Sequence, residues 1–279
     1  MATAMLSRPF KPSPSRSSPA SGTPWGWAAS GAVLGLLVAL VVFAPARWLA
    51  AGVSQASGGQ VSLADPLGTV WAGSARLVLS GGVDSQGRVA LPGRVGWRLM
   101  PSFGRLQADL TAPCCMTQGL RLNAVPAWGS AVLNLKINVQ DHQSRWPASL
   151  LTGLGTPWNT VQAQGLLALS TQGLSLEWTE GRLGMTGRVQ IDAQDMASRL
   201  STLKPMGSYR LQLTGGRVVA LQLETLQGSL QLSGNGQWVG GRLRFDGVAT
   251  SAPDRQDALS NLLNIIGRRD GARSLIKVG

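Results

Sequence analysis

Short segments in which apolar and polar residues alternate recur along this chain, and Gly, Pro, Asn or Asp separates them. Alternation with a period of two puts the apolar side chains on one face of a strand and the polar side chains on the other. The segments are Ala75–Leu79, Val95–Leu99, Leu106–Leu110, Ala131–Val139, Tyr209–Leu213, Leu221–Leu223, Ser229–Leu232 and Arg242–Phe245. Gly215-Gly216 and Gly234-Asn235-Gly236 supply residues suited to turns. The pattern predicts a mainly β fold, an extended antiparallel β-meander with one apolar face.

Three short helices are predicted between the strands, from Trp146-Pro147 to Gly153, from Asp192 to Pro205, and from Ser251 to Gly267. Pro in the first turn, Asp as N-cap and Gly after the last turn are favoured at such boundaries. In the third helix an apolar stripe is formed by Leu259, Leu262, Leu263 and Ile266. We expect the apolar stripes to pack on the sheet.

A run of nineteen residues from Trp25 to Phe43 carries no charge and is long enough to cross a bilayer. Residues 1–24 are rich in Pro and Ser, with three basic residues and no acid, which predicts a disordered tail on the cytoplasmic side. A cleavable signal ending at Ala44-Pro45-Ala46 is the less favoured alternative, because signal peptides have shorter apolar cores.

The predicted organisation is therefore a cytoplasmic tail (1–24), a transmembrane helix (25–46), a linker (47–60) and a periplasmic β-rich domain (61–279). For a bacterial cell, this organisation predicts a single-pass protein of the inner membrane with its N-terminus in the cytoplasm. Within the span, Gly31, Gly35 and Ala39 share one side of the helix and form a weak candidate interface for another membrane helix.

The chain is basic, with 25 Lys and Arg residues against 13 Asp and Glu. Beyond the span the basic residues are dispersed, and the only adjacent pair is Arg268-Arg269. Nucleic-acid binding is disfavoured because it usually needs a clustered basic patch. A solvated basic face remains, which serves solubility alone or faces anionic headgroups or an acidic partner.

Few residues suit metal binding or acid-base catalysis, since the chain has one His, two Cys and scattered carboxylates. His142 lies beside Asp141 and near Ser144, but sequence neighbours on a strand point to opposite faces. We therefore predict no catalytic, cofactor-binding or metal site and no enzyme activity. For Cys114 and Cys115 three states remain open: a vicinal disulfide, an intermolecular bridge, or two thiols.

Three blocks of sequence resemble the type II secretion system protein N family, also called general secretion pathway protein N. Pro66-Leu67-Gly68-Thr69-Val70-Trp71-Ala72-Gly73-Ser74-Ala75 is similar to its "GT(L/V)W.G.A" segment, and Lys204-Pro205-Met206-Gly207-Ser208-Tyr209-Arg210-Leu211 to its "PLG.Y" turn into a strand, with Met206 in place of Leu. Leu259–Gly271 is similar to its C-terminal "LL..LG…DG" block through Leu262, Leu263, Gly267, Asp270 and Gly271. For these motif residues we expect structural roles, including a close backbone approach at Gly68 and Gly73.

The resemblance implies a component of the machine that exports folded proteins across the outer membrane. It implies other inner-membrane or periplasmic secretion subunits as partners, and no cofactor. We therefore expect a non-enzymatic adaptor whose sheet binds those subunits by a face or an edge strand. The alternative hypothesis is a periplasmic lipid-binding or lipid-transfer module with an apolar β-groove.

Overall fold

The structure is a computed structural model that describes residues 25–82, 87–127, 134–179, 182–239 and 242–279. The predicted tail, and residues 131–133 of one predicted strand, lie outside the described residues. One unit contains helix α1 (Trp25–Val42), and the other is the folded unit Phe43–Gly279. The helix α1 has a mean hydropathy of 2.0 and is long and apolar enough to cross a membrane.

Within the described part of the folded unit, sixteen strands form one antiparallel sheet. They are β1 (Val61–Gly68), β2 (Ala72–Ser80), β3 (Arg88–Ala90), β4 (Val95–Ser102), β5 (Arg105–Thr111), β6 (Leu120–Ala127), β7 (Asn134–Val139), β8 (His142–Pro147), β9 (Gln164–Thr179), β10 (Arg182–Ala197), β11 (Gly207–Gly216), β12 (Ala220–Gly228), β13 (Leu230–Val239), β14 (Arg242–Ser251), β15 (Arg268–Asp270) and β16 (Arg273–Val278). The predicted mainly β fold class is confirmed.

The strands follow one another in space almost as they do in sequence. The order is β1-β2-β4-β5-β6-β7-β9-β10-β11-β12-β13-β14-β16-β15, with β3 beside β2 and β8 beside β9. Alternating residues divide the sheet into an apolar face, which carries Trp97 and Leu211, and a polar face, which carries Arg98 and Gln212.

Helices pack over parts of the apolar face. The helices of the folded unit are α2 (Ala46–Ala56), α3 (Trp158–Val161), α4 (Gln256–Ile266) and two 3₁₀ helices, Ala148–Leu154 and Pro253–Arg255. The helix α4 inserts Leu259, Leu262 and Leu263 into a core with Leu230 and Ala249. Smaller clusters join Leu150 of the first 3₁₀ helix to Leu91 and Ala112, and Ala46 of α2 to Ala75 and Trp97.

The helix predictions have mixed outcomes. The first predicted helix is present as the 3₁₀ helix Ala148–Leu154, and the third as Pro253–Arg255 followed by α4. The helix predicted from Asp192 to Pro205 is wrong, because β10 continues through Ala197 and pairs with both β9 and β11. Two neighbouring strands outweigh a local capping signal, since each satisfies the backbone groups that a helix would otherwise pair.

Two further segments differ from expectation. Gly234-Asn235-Gly236 is no turn but lies inside β13, where the ring of Phe245 on β14 packs against Gly234. An aromatic ring across the strands uses the space that a missing Cβ leaves. The predicted linker 47–60 contains most of α2, which packs along β1.

Candidate interaction surface on the polar face of the sheet

The polar face carries a row of polar side chains that crosses seven strands in register. Residues paired directly across antiparallel strands point to the same side, so the register aligns their side chains. This set, called the polar row below, comprises Ser170, Gln190, Gln212, Gln222, Asn235, Asp246 and Lys277. The helices described above pack on the opposite face, so the polar row is left without a helical cover.

A partly buried ion pair fixes the geometry next to the polar row. The Arg210 guanidinium donates two hydrogen bonds to the Asp192 carboxylate, from Nε to Oδ1 at 2.8 Å and from Nη2 to Oδ2 at 3.0 Å. Gln190 Nε2 donates to the same carboxylate at 3.0 Å. Hydrogen bonding from Arg210 lowers the pKa of Asp192, and the same bond raises the pKa of Arg210. Both groups therefore stay charged and oriented at neutral pH.

A cavity of about 750 Å³ opens where β2, β4, β5 and β6 meet the β7–β8 connection. Arg98, Asp109 and Arg121 lie side by side on three strands, and Arg121 Nε is 3.5 Å from Asp109 Oδ1. Half of the other residues that line the cavity are also polar: Thr111, Gln118, Gln140, Asp141 and His142. Such a lining suits a polar or charged group rather than an acyl chain.

His142, Asp141 and Ser144 do not form a catalytic group in this arrangement. Asp141 Oδ1 accepts a hydrogen bond from the Gly173 backbone N–H at 2.7 Å, and Ser144 Oγ accepts one from Trp146 Nε1 at 2.8 Å. The His142 ring is buried, and this burial lowers its pKa. Within the described residues, no group of three or more His, Cys, Asp or Glu side chains is arranged to hold a metal ion.

Cys114 and Cys115 are joined to each other by a disulfide in the loop between β5 and β6. Cys115 is buried with Ala112 and Leu150, and its backbone oxygen accepts a hydrogen bond from Arg145 N at 2.8 Å. The β5–β6 loop thus connects β8 to the buried cluster that contains Leu150 of the first 3₁₀ helix.

The first motif block forms the β1–β2 turn and its surroundings. Trp97 Nε1 donates to the backbone oxygens of Thr69 at 3.2 Å and Val70 at 3.0 Å. A Cβ on Gly73 would lie 2.5 Å from the Leu67 oxygen and 2.6 Å from the Trp97 ring. The glycine is therefore required sterically, because the turn and the indole occupy the space of a side chain.

The other two blocks come together in the core of the second half. Tyr209 lies in the same buried cluster as Leu262 and Leu263, and a Cβ on Gly207 would be 2.8 Å from the Tyr209 hydroxyl. Pro205 follows a cis peptide bond, and Gly267 ends α4 in an extended conformation. Asp270 forms an ion pair with Arg273 at 3.0 Å, and Gly271 has a φ of 62° in the β15–β16 turn. The first block, with Pro66, Gly68 and Trp71, lies apart from them. Gly31, Gly35 and Ala39 lie on α1, with no buried residue around them.

The structure gives the lipid-groove hypothesis no support. The apolar face is covered by α4, the first 3₁₀ helix and α2 at its three buried clusters, and the cavity on the sheet has a mainly polar lining. Sequence reasoning placed Gln212 and Gln222 at polar strand positions, but it identified neither the other five members of the polar row nor the alignment of the row. The alternation of each segment was visible, whereas the register that aligns seven strands was not.

Comparison with known protein families gives a match that covers most of the folded unit. Residues 59–275 match the family model described as type II secretion system (T2SS), protein N. No curated protein and no solved structure matches the chain significantly. The match includes all three motif blocks, the polar row except Lys277, and the cavity. The chain therefore belongs to the type II secretion system protein N family.

Proposed function

We propose that this protein is a non-enzymatic, single-pass inner-membrane adaptor that binds other secretion subunits through the polar face of its sheet. Residues 1–24 form a cytoplasmic tail, residues 25–46 cross the membrane, and residues 47–279 lie in the periplasm. Family membership supports interaction with other subunits of the secretion system. The apolar, uncharged helix α1 supports the anchor, and the basic residues before it support a cytoplasmic N-terminus.

The uncovered polar face is the observation that carries this proposal. An adaptor needs a surface that its own chain does not use, and the helices of the folded unit pack on the opposite face. The polar row, the Asp192–Arg210 pair and the polar cavity provide oriented donors and acceptors across this face. Preoriented polar groups favour specific protein contacts, because little side-chain entropy is lost on binding.

The two outer strands of the sheet are less suited to partner binding by strand addition. Strand β15 has only three residues, all exposed and all charged: Arg268, Arg269 and Asp270. Strand β1 is interrupted by a register shift between Ala64 and Leu67, where Asp65 has a φ of 49°. Short, charged or irregular edges discourage a further strand, and this favours the face over the edges.

Photocrosslinking in intact cells tests the proposal. A photoreactive amino acid is placed singly at Arg98, Gln212 or Gln231, which share the polar face. Asn264 is the matched control, because it is exposed on α4 over the opposite face. We expect adducts with other secretion subunits from the three sheet positions and few from Asn264. Equal adducts from all four positions, or lipid adducts alone from the sheet, would contradict the proposal.

A further inference from the structure

The connections of the meander divide the sheet into two dissimilar ends. The strand ends that flank the connections β4–β5, β6–β7, β9–β10, β11–β12 and β13–β14 all lie at one end, called the hairpin end below, because consecutive antiparallel strands reverse alternately at opposite ends. The opposite end carries the β5–β6 loop with its disulfide and the long β10–β11 connection. The two ends therefore have different surfaces.

The hairpin end exposes large apolar side chains. Phe103, in the β4–β5 turn, is fully exposed at 104%. Trp178 and Leu183 are cross-strand neighbours, exposed by 49% and 59%. Val218, Trp238 and Val239 are also exposed in the described parts of the next two hairpins. Exposed apolar patches on folded proteins usually mark contact with a partner or a membrane.

Arginines accompany these apolar side chains. Exposed guanidinium groups at the hairpin end belong to Arg105, Arg182, Arg217, Arg242 and Arg244. Among the described residues of the same strand ends and turns, Glu177 is acidic, so the basic residues outnumber the acidic ones. Aromatic rings and arginines side by side are typical of surfaces at the boundary of an anionic membrane.

The chain also enters the folded unit at this end. Phe43 directly follows α1, and the Ala44 backbone oxygen accepts a hydrogen bond from Val70 N at 2.8 Å. Pro45 forms a β-bridge with Thr69 in the same β1–β2 turn. Ala72, at the start of β2, pairs with Arg98 near the middle of β4, the strand that leads to Phe103. Within a few residues of α1, the chain is thus bound to the hairpin end.

We propose that the hairpin end rests on the membrane surface, with Phe103, Trp178 and Trp238 at the interface and the arginines against anionic phospholipid headgroups. The inference rests on the anchoring role of α1 proposed above. A bilayer is favoured over a protein partner because the chain that leaves α1 binds directly to this end of the sheet. The polar face then stands free above the membrane for partner subunits.

The test uses the full-length protein in vesicles of phosphatidylethanolamine and phosphatidylglycerol with spin-labelled lipid. Single cysteines at Phe103, Val239 or Thr117 carry a fluorophore, with the native disulfide kept unreduced. Thr117 is the control, because it is exposed in the β5–β6 loop at the opposite end. We expect strong lipid quenching at Phe103 and Val239 and almost none at Thr117.

A label at Leu34 within α1 separates the possible failures. If the label at Leu34 is quenched, and the label at Phe103 is quenched no more than the label at Thr117, the membrane contact of the hairpin end is overturned and the anchoring role of α1 is left intact. Absence of the protein from the vesicles would overturn both. Shielding of Phe103 only in cells, and not in pure lipid vesicles, would overturn the membrane contact in favour of a protein partner.

Two variants test the chemistry of the contact with the label at Val239. Phe103→Ala is expected to lower the ratio of docked to undocked protein roughly tenfold, because a buried aromatic ring is lost. Arg217→Gln is expected to lower the ratio about fivefold in vesicles with phosphatidylglycerol and little in pure phosphatidylcholine. Arg145→Gln on β8 is the matched control and should leave the ratio unchanged. Equal effects of Arg217→Gln and Arg145→Gln would contradict the role of the arginines.

Discussion

The covering of the apolar face by α4 makes a quantitative prediction about Leu263. This side chain is 0% exposed and lies in the cluster that includes Leu230 and Ala249, whereas Ile265, two residues on, is 41% exposed. Leu263→Ala removes three buried carbons and leaves a cavity, which typically costs about 2–5 kcal/mol. Ile265→Ala loses mostly exposed surface and should cost under about 1 kcal/mol.

Urea unfolding of the detergent-solubilised full-length protein, followed by tryptophan fluorescence, measures the difference. With a denaturant slope of about 3 kcal/mol/M, a loss of about 3 kcal/mol lowers the midpoint by about 1 M for Leu263→Ala. Leu263→Met keeps the volume and should lie close to the wild type. Equal midpoints for Leu263→Ala and Ile265→Ala would refute the packing of α4 on the sheet. The apolar face would then be accessible, and the lipid-groove hypothesis would regain support.

Three further predictions concern the ion pair, the first motif and the cysteines. Asp192→Asn should lower the free energy of unfolding by about 1 kcal/mol at pH 7, because the hydrogen bonds from Arg210 lose their charge. Because the pKa of Asp192 is lowered in the folded state, the stability difference between Asp192→Asn and the wild type should be fully present above the unfolded pKa of about 3.9. The difference should vanish as the pH falls through the folded-state pKa of Asp192. Urea unfolding at a series of pH values measures it. Gly73→Ala should displace the Trp97 ring and lower the midpoint of thermal unfolding. Gly184→Ala is the control and should leave the midpoint unchanged, because its Cβ would meet nothing closer than 3.6 Å. Equal midpoints for the two variants would contradict the steric requirement for glycine at position 73. Mass spectrometry after alkylation should find neither cysteine modified before reduction and both modified afterwards, and a modified thiol in the unreduced protein would contradict the disulfide.

The mainly β meander could be predicted from the sequence because each strand is short, alternating and closed by turn residues. The same local reasoning failed at Asp192, which looks like a helix N-cap but pairs with Arg210 across two strands. The local reasoning failed again at Gly234, where the missing side chain leaves space for the ring of Phe245 and does not mark a turn. In both cases the deciding contact comes from a residue far enough along the chain to be invisible in a local window.

The candidate surface could be predicted only in part. The alternation in Val95–Leu99, Tyr209–Leu213 and Ser229–Leu232 predicts that Arg98, Gln212 and Gln231 face away from the apolar side, and they share the polar face. The cavity and the polar row depend on the strand register, and a slip of one residue would move the side chains of a strand to the other face of the sheet. The hairpin end escaped prediction for the same reason, since its exposed residues belong to turns that only the strand order brings together.

The order of the strands bears on how such a chain acquires its structure. Most strands pair with the strand that comes just before them, so most contacts close short loops. A chain delivered from its N-terminus can therefore add one strand at a time to a growing edge, without waiting for distant segments. Strand β16, which follows α4 in the sequence, pairs with β14, and the leucines of α4 cover this part of the sheet. The arrival of α4 would thus cover the apolar face of strands that were added shortly before it.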